Sequence, residues 1–382
     1  MPWQPKELMD VKREFVSLAL QEGANRRELC RRFGIGAKAA YALLARYAQE
    51  GEQAFVERSR RPLSSPYRTH AATEAAVLEL RRAHPAWGGR KLARRLSEMG
   101  NRDVPSPATI TAILHRHGLI TPEASRDAQH WQRFEHETPN ALWQIDFKGH
   151  FDTEHGRCYP LTLLDDHSRF SLALRACERQ DTGSVREHLV SVFRRYGLPC
   201  RINADNGAPW GSPSKAEHGL SALSVWLIRL GIGISHSAPY HPQTNGKLER
   251  FHRSLKAEVL NGHSFRDLGQ AQAALTSWRN IYNHQRPHEA LKLLTPMQRY
   301  RSSTRAYPEQ LAAIEYAAHD HVLEVGWNGF VRFKGIRLRL SSALHRLPVA
   351  FRADPARDGA YDVFFCHHRF MRLDLSAMSA SN

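Results

Sequence analysis

The stretch ALWQIDFKGHF, residues 141–151, decides the fold of the central part of the chain. Apolar and polar side chains alternate along it as in a β-strand, with Asp146 at its centre. After a turn, residues 159–166 and 169–174 predict two further strands of an antiparallel meander, and residues 181–196 predict a helix. This order of elements indicates an α/β domain with a carboxylate on its first strand.

Two further acidic residues stand in positions typical of a functional site. A short predicted strand, residues 201–204, runs directly into Asp205, and the carboxyl end of a strand is a common place for a site. The run YHPQTNGKLERFHR, residues 240–253, predicts a loop that becomes a helix carrying Glu249. Taken singly, an Asp after a strand is more often a turn residue, and a Glu on a helix is more often solvated.

Three such carboxylates in a basic protein suit metal-dependent phosphodiester chemistry. Two divalent cations about 3.5–4 Å apart can activate an attacking oxygen and stabilise a leaving oxygen. Mg²⁺ prefers a few carboxylates together with water and phosphate oxygens. Asp146, Asp205 and Glu249 can meet at one point if two strands and a helix carry them. A site of this kind would hold Mg²⁺ or Mn²⁺, as two ions.

The N-terminal residues 1–56 predict a helix-turn-helix unit. Apolar residues recur at helical spacing over residues 6–22, Asn25 and Glu28 form a capping-box pattern, and a glycine turn precedes a helix over residues 37–49. The last helix of such a unit enters the major groove of DNA. A three-helix bundle with a solvated basic face fits the periodicity equally well. The residues expected on the outward face are Lys38, Tyr41 and Arg46.

A basic linker and a second helical unit follow. Residues 57–69 are cationic and rich in Pro and Ser, so they form either an arm that lies along phosphates or a solvated spacer. Residues 70–125 predict three more helices and a second helix-turn-helix domain, and two units in tandem favour an extended DNA site. Further cations expected to bind DNA are Arg58, Arg60, Arg61, Arg90, Lys91, Lys247, Arg253 and Lys256.

Composition agrees with a multidomain DNA-binding protein. The chain has 382 residues, and 54 Lys and Arg against 38 Asp and Glu give a net charge of +16, which favours a polyanionic partner. The five cysteines stand singly, as in a reducing cytosol. The N-terminus does not have the form of a secretory signal, and the most apolar run, residues 221–234, is too short to span a bilayer.

The C-terminal part changes to β-type alternation. Residues 308–318 predict a helical piece, and residues 318–382 predict a small β-barrel that either binds DNA or stabilises a dimer. The predicted strands are residues 322–325, 329–333, 336–340, 349–352 and 361–365.

Several sequence runs resemble the catalytic core of DDE-type insertion-sequence transposases, whose core is like that of retroviral integrases. In order they are WQIDF, LDDHSRF, NADNG, YHPQTNGKLERFHRSLK and YNHQRPHEAL. The runs CRRFGI, ERSRRP and WGGRKL resemble the helix-turn-helix parts of the same family, so the resemblance covers nearly the whole chain. It implies a ribonuclease H-like fold for residues 126–302, with Asp146, Asp205 and Glu249 as catalytic residues and metal ligands.

The resemblance also implies a function. We expect a transposase that cleaves DNA strands and transfers them at the ends of a mobile element. Its partners would be double-stranded DNA and, when assembled on DNA, at least one further copy of the chain, with no membrane. The expected location is the bacterial cytoplasm, with the nucleoid. Two alternatives remain: a catalytically inactive, transposase-derived DNA-binding protein, and a nuclease that cuts without joining.

Other acidic and metal-binding patterns are interpreted as decoys. Asp165 and Asp166 are predicted to form a turn of the meander, and Asp152, Glu154 and Glu258 are predicted to lie on the surface. The run Cys366-His367-His368 has no second ligand pair at a plausible spacing, which argues against a zinc site. Between Asp205 and Glu249 lie 43 residues, more than in retroviral integrases, and we assign the surplus to the polar insert 211–219.

Overall fold

A computed structural model describes residues 8–57, 68–120, 135–205, 207–211, 218–236 and 246–375. The chain divides into two compact units, Met1–Arg68 and Thr69–Asn382. Within the described ranges, no helix combines the length and the apolar character that crossing a membrane requires. Arg58, Arg60 and Arg61 of the predicted linker lie outside the described residues, as does most of the predicted insert 211–219.

The first unit contains the predicted helices, α1 (Leu8–Ala19), α2 (Arg26–Arg32) and α3 (Ala37–Glu50). Asn25 caps α2, because its side chain accepts a hydrogen bond of 3.1 Å from the amide of Glu28. A 3₁₀ turn, Gly51–Phe55, then folds Phe55 into the core beside Phe15 and Ala40.

Three further helices, α4 (Ala71–Ala83), α5 (Gly89–Glu98) and α6 (Pro107–Arg116), form a second small core around the buried Trp87. Ser106 caps α6 through the amide of Thr109, at 3.2 Å. Helices α5 and α6 approach so closely that a Cβ at Gly89 would lie 2.4 Å from the carbonyl oxygen of Pro107. Only glycine fits that crossing without displacement of the backbone.

The central domain is built on a mixed sheet. Its strands are β1 (Trp143–Phe147), β2 (Phe151–Thr153), β3 (Gly156–Asp165), β4 (Ser171–Cys177), β5 (Arg201–Ala204) and β6 (Gly233–His236). Strand β3 pairs antiparallel with β1, β2 and β4, whereas β5 pairs parallel with both β1 and β6. The predicted meander is confirmed, and β1 lies at the centre of the sheet.

Helices cover both faces of this sheet. On one face α7 (Thr182–Tyr196) and α8 (Ala222–Arg229) contribute Phe193 and Trp226 to a core with Trp143. On the other face α9 (Gly246–Leu255), a π-helical turn (Lys256–Leu260) and α10 (Leu268–His284) form a second core. A short helix, α11 (Pro296–Arg299), follows. The packing of the apolar face of α9 therefore fixes the position of Glu249, the one acidic residue of this helix.

The helix predicted over residues 308–318 is not present. The segment contains no helix and runs over the protein, so that Leu311 packs against the central core and Ile314 against the C-terminal core. The carbonyl of Ala312 accepts a hydrogen bond of 2.6 Å from Arg229 of α8. Contacts to two separate cores therefore outweigh the local helical pattern.

The described residues of the C-terminal part, up to residue 375, contain six strands rather than five, and a closed barrel is not confirmed. The strands are β7 (His321–Glu324), β8 (Phe330–Phe333), β9 (Ile336–Arg339), β10 (Pro348–Ala353), β11 (Ala360–Phe365) and β12 (His368–Asp374). They form an open four-stranded sheet, β12-β11-β10-β7, and a separate β8-β9 hairpin. The sheets are joined by side chains, with the rings of Phe333 and Phe351 stacked 4.2 Å apart.

Candidate active site

Two of the three predicted acids come from neighbouring parallel strands. In the β1–β5 pair, Trp143 lies opposite Ile202 and Gln144 lies opposite Asn203. Continuing that register by two residues sets Asp146 level with Asp205, which follows the last residue of β5. Adjacent strands are about 4.8 Å apart, so the two carboxylates share one edge of the sheet. The Asp205 side chain accepts a hydrogen bond of 3.0 Å from the amide of Gly207, which orients it.

The third acid, Glu249, is exposed on the first turn of α9. Its neighbours Leu248 and Phe251 are buried in the core beneath the sheet and seat the helix against β3 and β4. Glu249 therefore faces away from that core, on a helix whose position is fixed by its apolar side.

A polar contact joins α9 to the strand that carries Asp146. The hydroxyl of Thr162 donates to the backbone carbonyl of Asp146 at 2.8 Å, and its oxygen lies 2.9 Å from Nε2 of His252. Since the hydroxyl has one proton, Nε2 of His252 is the donor in the second bond. Burial, with a contribution from Lys148, lowers the pKa of His252 to about 4, so the ring is neutral at physiological pH. This link was not singled out from the sequence, although His252 stands three residues after Glu249.

The charges of Asp205 and Glu249 both act on Asp146. Burial first, and then these two charges, raise the pKa of Asp146 to about 7 against an opposing hydrogen bond from the amide of Phe147. Like charges close together favour the protonated form of one member. The structure thus brings the three predicted residues into one electrostatic neighbourhood.

The chemistry of these donors fits a hard divalent cation. Mg²⁺ and Mn²⁺ bind carboxylate oxygen, and a cation would relieve the repulsion that raises the Asp146 pKa. In the part of the chain that the structure describes, however, no three His, Cys, Asp or Glu side chains are close enough together to hold one ion. Asn206 and residues 237–245, which adjoin Asp205 and Glu249 in sequence, lie outside the described residues.

The cations predicted to grip DNA near the acids are not equivalent. Arg253 and Lys256 are exposed on α9 and the following turn, and Lys256 helps to lower the pKa of Lys148, after burial. Lys247 is half-buried and forms an ion pair with the buried Asp166. Its charge is therefore already compensated within the protein, while its contact with DNA stays a prediction.

The cations predicted in the helix-turn-helix units also differ in their surroundings. On α3, Lys38 and Tyr41 are exposed, while Arg46 donates to the carbonyl of Val56 at 3.1 Å. On α5, the exposed Arg90 forms an ion pair of 3.6 Å with Glu289 of the central domain, and Lys91 is half-buried.

Of the predicted decoys, Asp165 and Asp166 lie where β3 meets a turn, and Glu258 was misplaced. Asp165 is the last residue of β3, and its buried carboxylate accepts hydrogen bonds from Asn140 and Ser168, while the turn itself begins at Asp166. The surface prediction for Glu258 is wrong, because its side chain is only 4% exposed and accepts a hydrogen bond of 2.7 Å from Trp278. The surface prediction is confirmed for Asp152 and Glu154, which are exposed. The helical periodicity of the sequence around Glu258 could not show that α10 packs over this residue.

Models of known protein families match most parts of the chain. Two integrase core domain models match residues 136–242 and 230–296. A helix-turn-helix domain model matches residues 11–62, and a homeodomain-like domain model matches residues 39–114. The C-terminal domain model of the IS481 family of transposases matches residues 320–381.

Insertion-element proteins are among the similar sequences. The chain is 29% identical over 177 residues to an uncharacterized 31.7 kDa protein of insertion element IS407 from Burkholderia multivorans. It is 30% identical over 163 residues to an uncharacterized 39.2 kDa protein of insertion element IS476 from Xanthomonas euvesicatoria. The chain has the domains of an insertion-sequence transposase with an integrase-like core.

The similarity of this transposase to those relatives is partial. The aligned regions cover 46% of this chain and 61% of the IS407 protein, and 42% of this chain and 44% of the IS476 protein. Among solved structures, the magnesium complex of the integrase catalytic core domain of HTLV-2 covers 43% of the transposase and 99% of its own chain. The identity is 16% and the TM-score is 0.33.

Proposed function

We propose that this transposase cleaves DNA strands and joins them to a target in a reaction that depends on divalent metal. The observation that carries the proposal is that Asp146 and Asp205 are level on neighbouring parallel strands and that the charges of Asp205 and Glu249 both act on Asp146. Helix-turn-helix units in the same chain supply a means of binding DNA ends. A protein that recognises defined ends and carries such a site is suited to move a DNA element.

In this proposal the three carboxylates hold two Mg²⁺ or Mn²⁺ ions. Such ions would activate the attacking oxygen and stabilise the leaving oxygen of a phosphodiester. Asp146 and Asp205 supply oxygen donors from the sheet edge, and Glu249 supplies them from α9. Water attacks first and frees a 3′-hydroxyl, and that hydroxyl then attacks a target phosphodiester, whose own 3′ oxygen leaves. No covalent bond between protein and DNA forms.

The partners follow from the reaction. Double-stranded DNA is the substrate, both as the ends of the element and as the target. Joining two ends at one target needs two active sites close together, so at least two copies of the chain assemble on the DNA.

The test is cleavage of a supercoiled plasmid by the full-length protein with Mg²⁺, with Mn²⁺ or with EDTA. We expect nicking with either metal and none with EDTA. Glu249→Gln should abolish nicking and leave DNA binding intact. Asp152→Asn is the matched control, because Asp152 is an exposed acid on β2. Equal nicking by the wild type and Glu249→Gln would refute the assignment of the site.

Two other outcomes separate the alternatives. Tight DNA binding without nicking under any metal condition would favour a catalytically inactive DNA-binding protein. Nicking without joined products, measured with a labelled duplex and a plasmid target, would favour a nuclease.

A further inference from the structure

The second helix-turn-helix unit rests on the central domain through α5. The guanidinium of Arg95 donates to the side-chain oxygen of Gln285 at 3.1 Å, and Arg90 forms its ion pair with Glu289. Ile281 of α10 packs against the apolar core of the helical unit. These contacts hold α5 against the segment that follows α10.

The same segment is bonded to the helix that carries Glu249. The buried guanidinium of Arg286 donates to the hydroxyl of Ser254 at 2.9 Å and lies 3.6 Å from Glu258. Arg250 stands four residues before Ser254, so both lie on one face of α9. Arg250 is therefore near α5 in space and next to Glu249 in sequence.

Two cations at this junction lack partners. Over the described ranges, neither Lys91 on α5 nor Arg250 on α9 forms a hydrogen bond or an ion pair with another residue. Burial is the main cause that lowers the pKa of Lys91 to about 8; Arg286 and, least of all, Arg250 also lower it, while Glu289 and Glu258 oppose them. Neighbouring positive charges that form no hydrogen bond or ion pair of their own favour the binding of an anion.

We propose that Lys91 and Arg250 together bind the phosphate backbone of duplex DNA between the second helix-turn-helix unit and the active site. The proposal rests on the proposed function, in which one DNA end contacts both the second helix-turn-helix unit and the active site. Arg250 is exposed and directly follows Glu249 in α9, so the phosphate that it binds would belong to the DNA near the active site. Lys91 belongs to the helical unit, so the two cations contact the backbone from both sides of the junction.

The test measures how the affinity for DNA depends on salt. The full-length protein is titrated in EDTA against a labelled linear duplex of random sequence, from about 50 mM to about 200 mM KCl. Each phosphate contact contributes about 0.9 to the slope of log affinity against log salt. Lys91→Met and Arg250→Met should each reduce this slope by about 1, and the double variant should reduce it by about 2. At about 0.1 M salt, the loss of each contact should weaken DNA binding about tenfold.

Two controls separate charge from folding. Arg82→Met removes one exposed charge from α4 of the same helical unit and should change the slope by much less. Lys91→Arg keeps the charge and should keep the wild-type slope. The proposal is overturned if the double variant changes the slope no more than Arg82→Met does. It is also overturned if Lys91→Arg reduces the salt slope as much as Lys91→Met does, since the packing of the side chain rather than its charge would then matter.

Plasmid nicking tests the proposed function separately. If the wild type nicks but the double variant keeps the wild-type salt slope, the paired phosphate contact is wrong and the catalytic proposal stands. If the slope changes as expected but no metal supports nicking, the phosphate contact stands and the catalytic proposal fails.

Discussion

Replacing Asp146 with Asn should stabilise the metal-free protein at alkaline pH. Burial and the neighbouring carboxylates raise the pKa of Asp146 from 3.8 to about 7, so ionising this group costs more in the folded chain than in the unfolded chain. The cost is absent below pH 3.8, grows as the pH rises and is complete above about pH 7. Asparagine cannot ionise, and its side-chain oxygen can still accept the hydrogen bond from Phe147.

The size of this stabilisation follows from the pKa shift of Asp146. One pKa unit corresponds to about 1.4 kcal/mol, so the full shift sets an upper limit of about 4 kcal/mol on the stabilisation at about pH 8. Because Asp146 is partly exposed, solvent screening reduces the expected gain to about 1–3 kcal/mol. For a unit as large as Thr69–Asn382 this corresponds to a rise in melting temperature of about 2–6 °C.

The assay is thermal unfolding of wild type and Asp146→Asn at about pH 8 and about pH 4.5, in EDTA and in Mg²⁺. At about pH 4.5 the gain should fall to about a quarter of its value at about pH 8, because the folded carboxyl is then protonated. Mg²⁺ should raise the melting temperature of the wild type and have less effect on the variant. Asp152→Asn, at the exposed position of β2, should show none of these changes. A variant that is no more stable than the wild type in EDTA at about pH 8 would refute the reasoning.

Two further predictions concern the buried ion pair and the first DNA-binding unit. Glu258→Gln should lower the free energy of unfolding by about 2–4 kcal/mol in urea titrations, because it leaves Arg286 buried without its carboxylate partner. The control Glu154→Gln, at an exposed position, should change the free energy of unfolding by less than about 0.5 kcal/mol. Lys38→Met on α3 should weaken duplex binding for all sequences and reduce the salt slope by about 1 in anisotropy titrations. Unchanged binding by Lys38→Met would exclude that face of α3 as a phosphate contact.

The order and type of most elements were determined by the sequence itself, because they depend on interactions within a few residues. The capping pattern at Asn25 and the hydroxyl at Ser106 mark helix starts that the structure shows at those positions. The alternation around Asp146 predicts a strand, and residues 143–147 form β1, although both faces of that strand are buried at its start. The resemblance of the acidic motifs to the transposase family likewise needed only their order along the chain.

The tertiary structure decided which charged side chains are free and which are already paired. The sequence presented Lys247, Arg250 and Glu258 alike, as charged residues on one helical stretch. Packing buries Glu258 under Trp278 and pairs Lys247 with Asp166, while Arg250 keeps its charge exposed. These outcomes depend on partners up to about a hundred residues away, which local periodicity does not identify.

In the C-terminal part, local sequence patterns also failed to predict some of the backbone structure. Residues 308–318 have a helical pattern, yet they run without helix because Leu311 and Ile314 reach two different cores. The alternating pattern after residue 318 predicted every strand of this part except β12, but not how the strands pair, since a strand's sequence fixes its inward face and not its hydrogen-bonded neighbour. The sequence by itself therefore determined most of the elements and predicted the family and the three candidate acids. Only the tertiary structure decided which strands pair, where the chain crosses between cores and which cations remain available for DNA, because each depends on packing between distant segments.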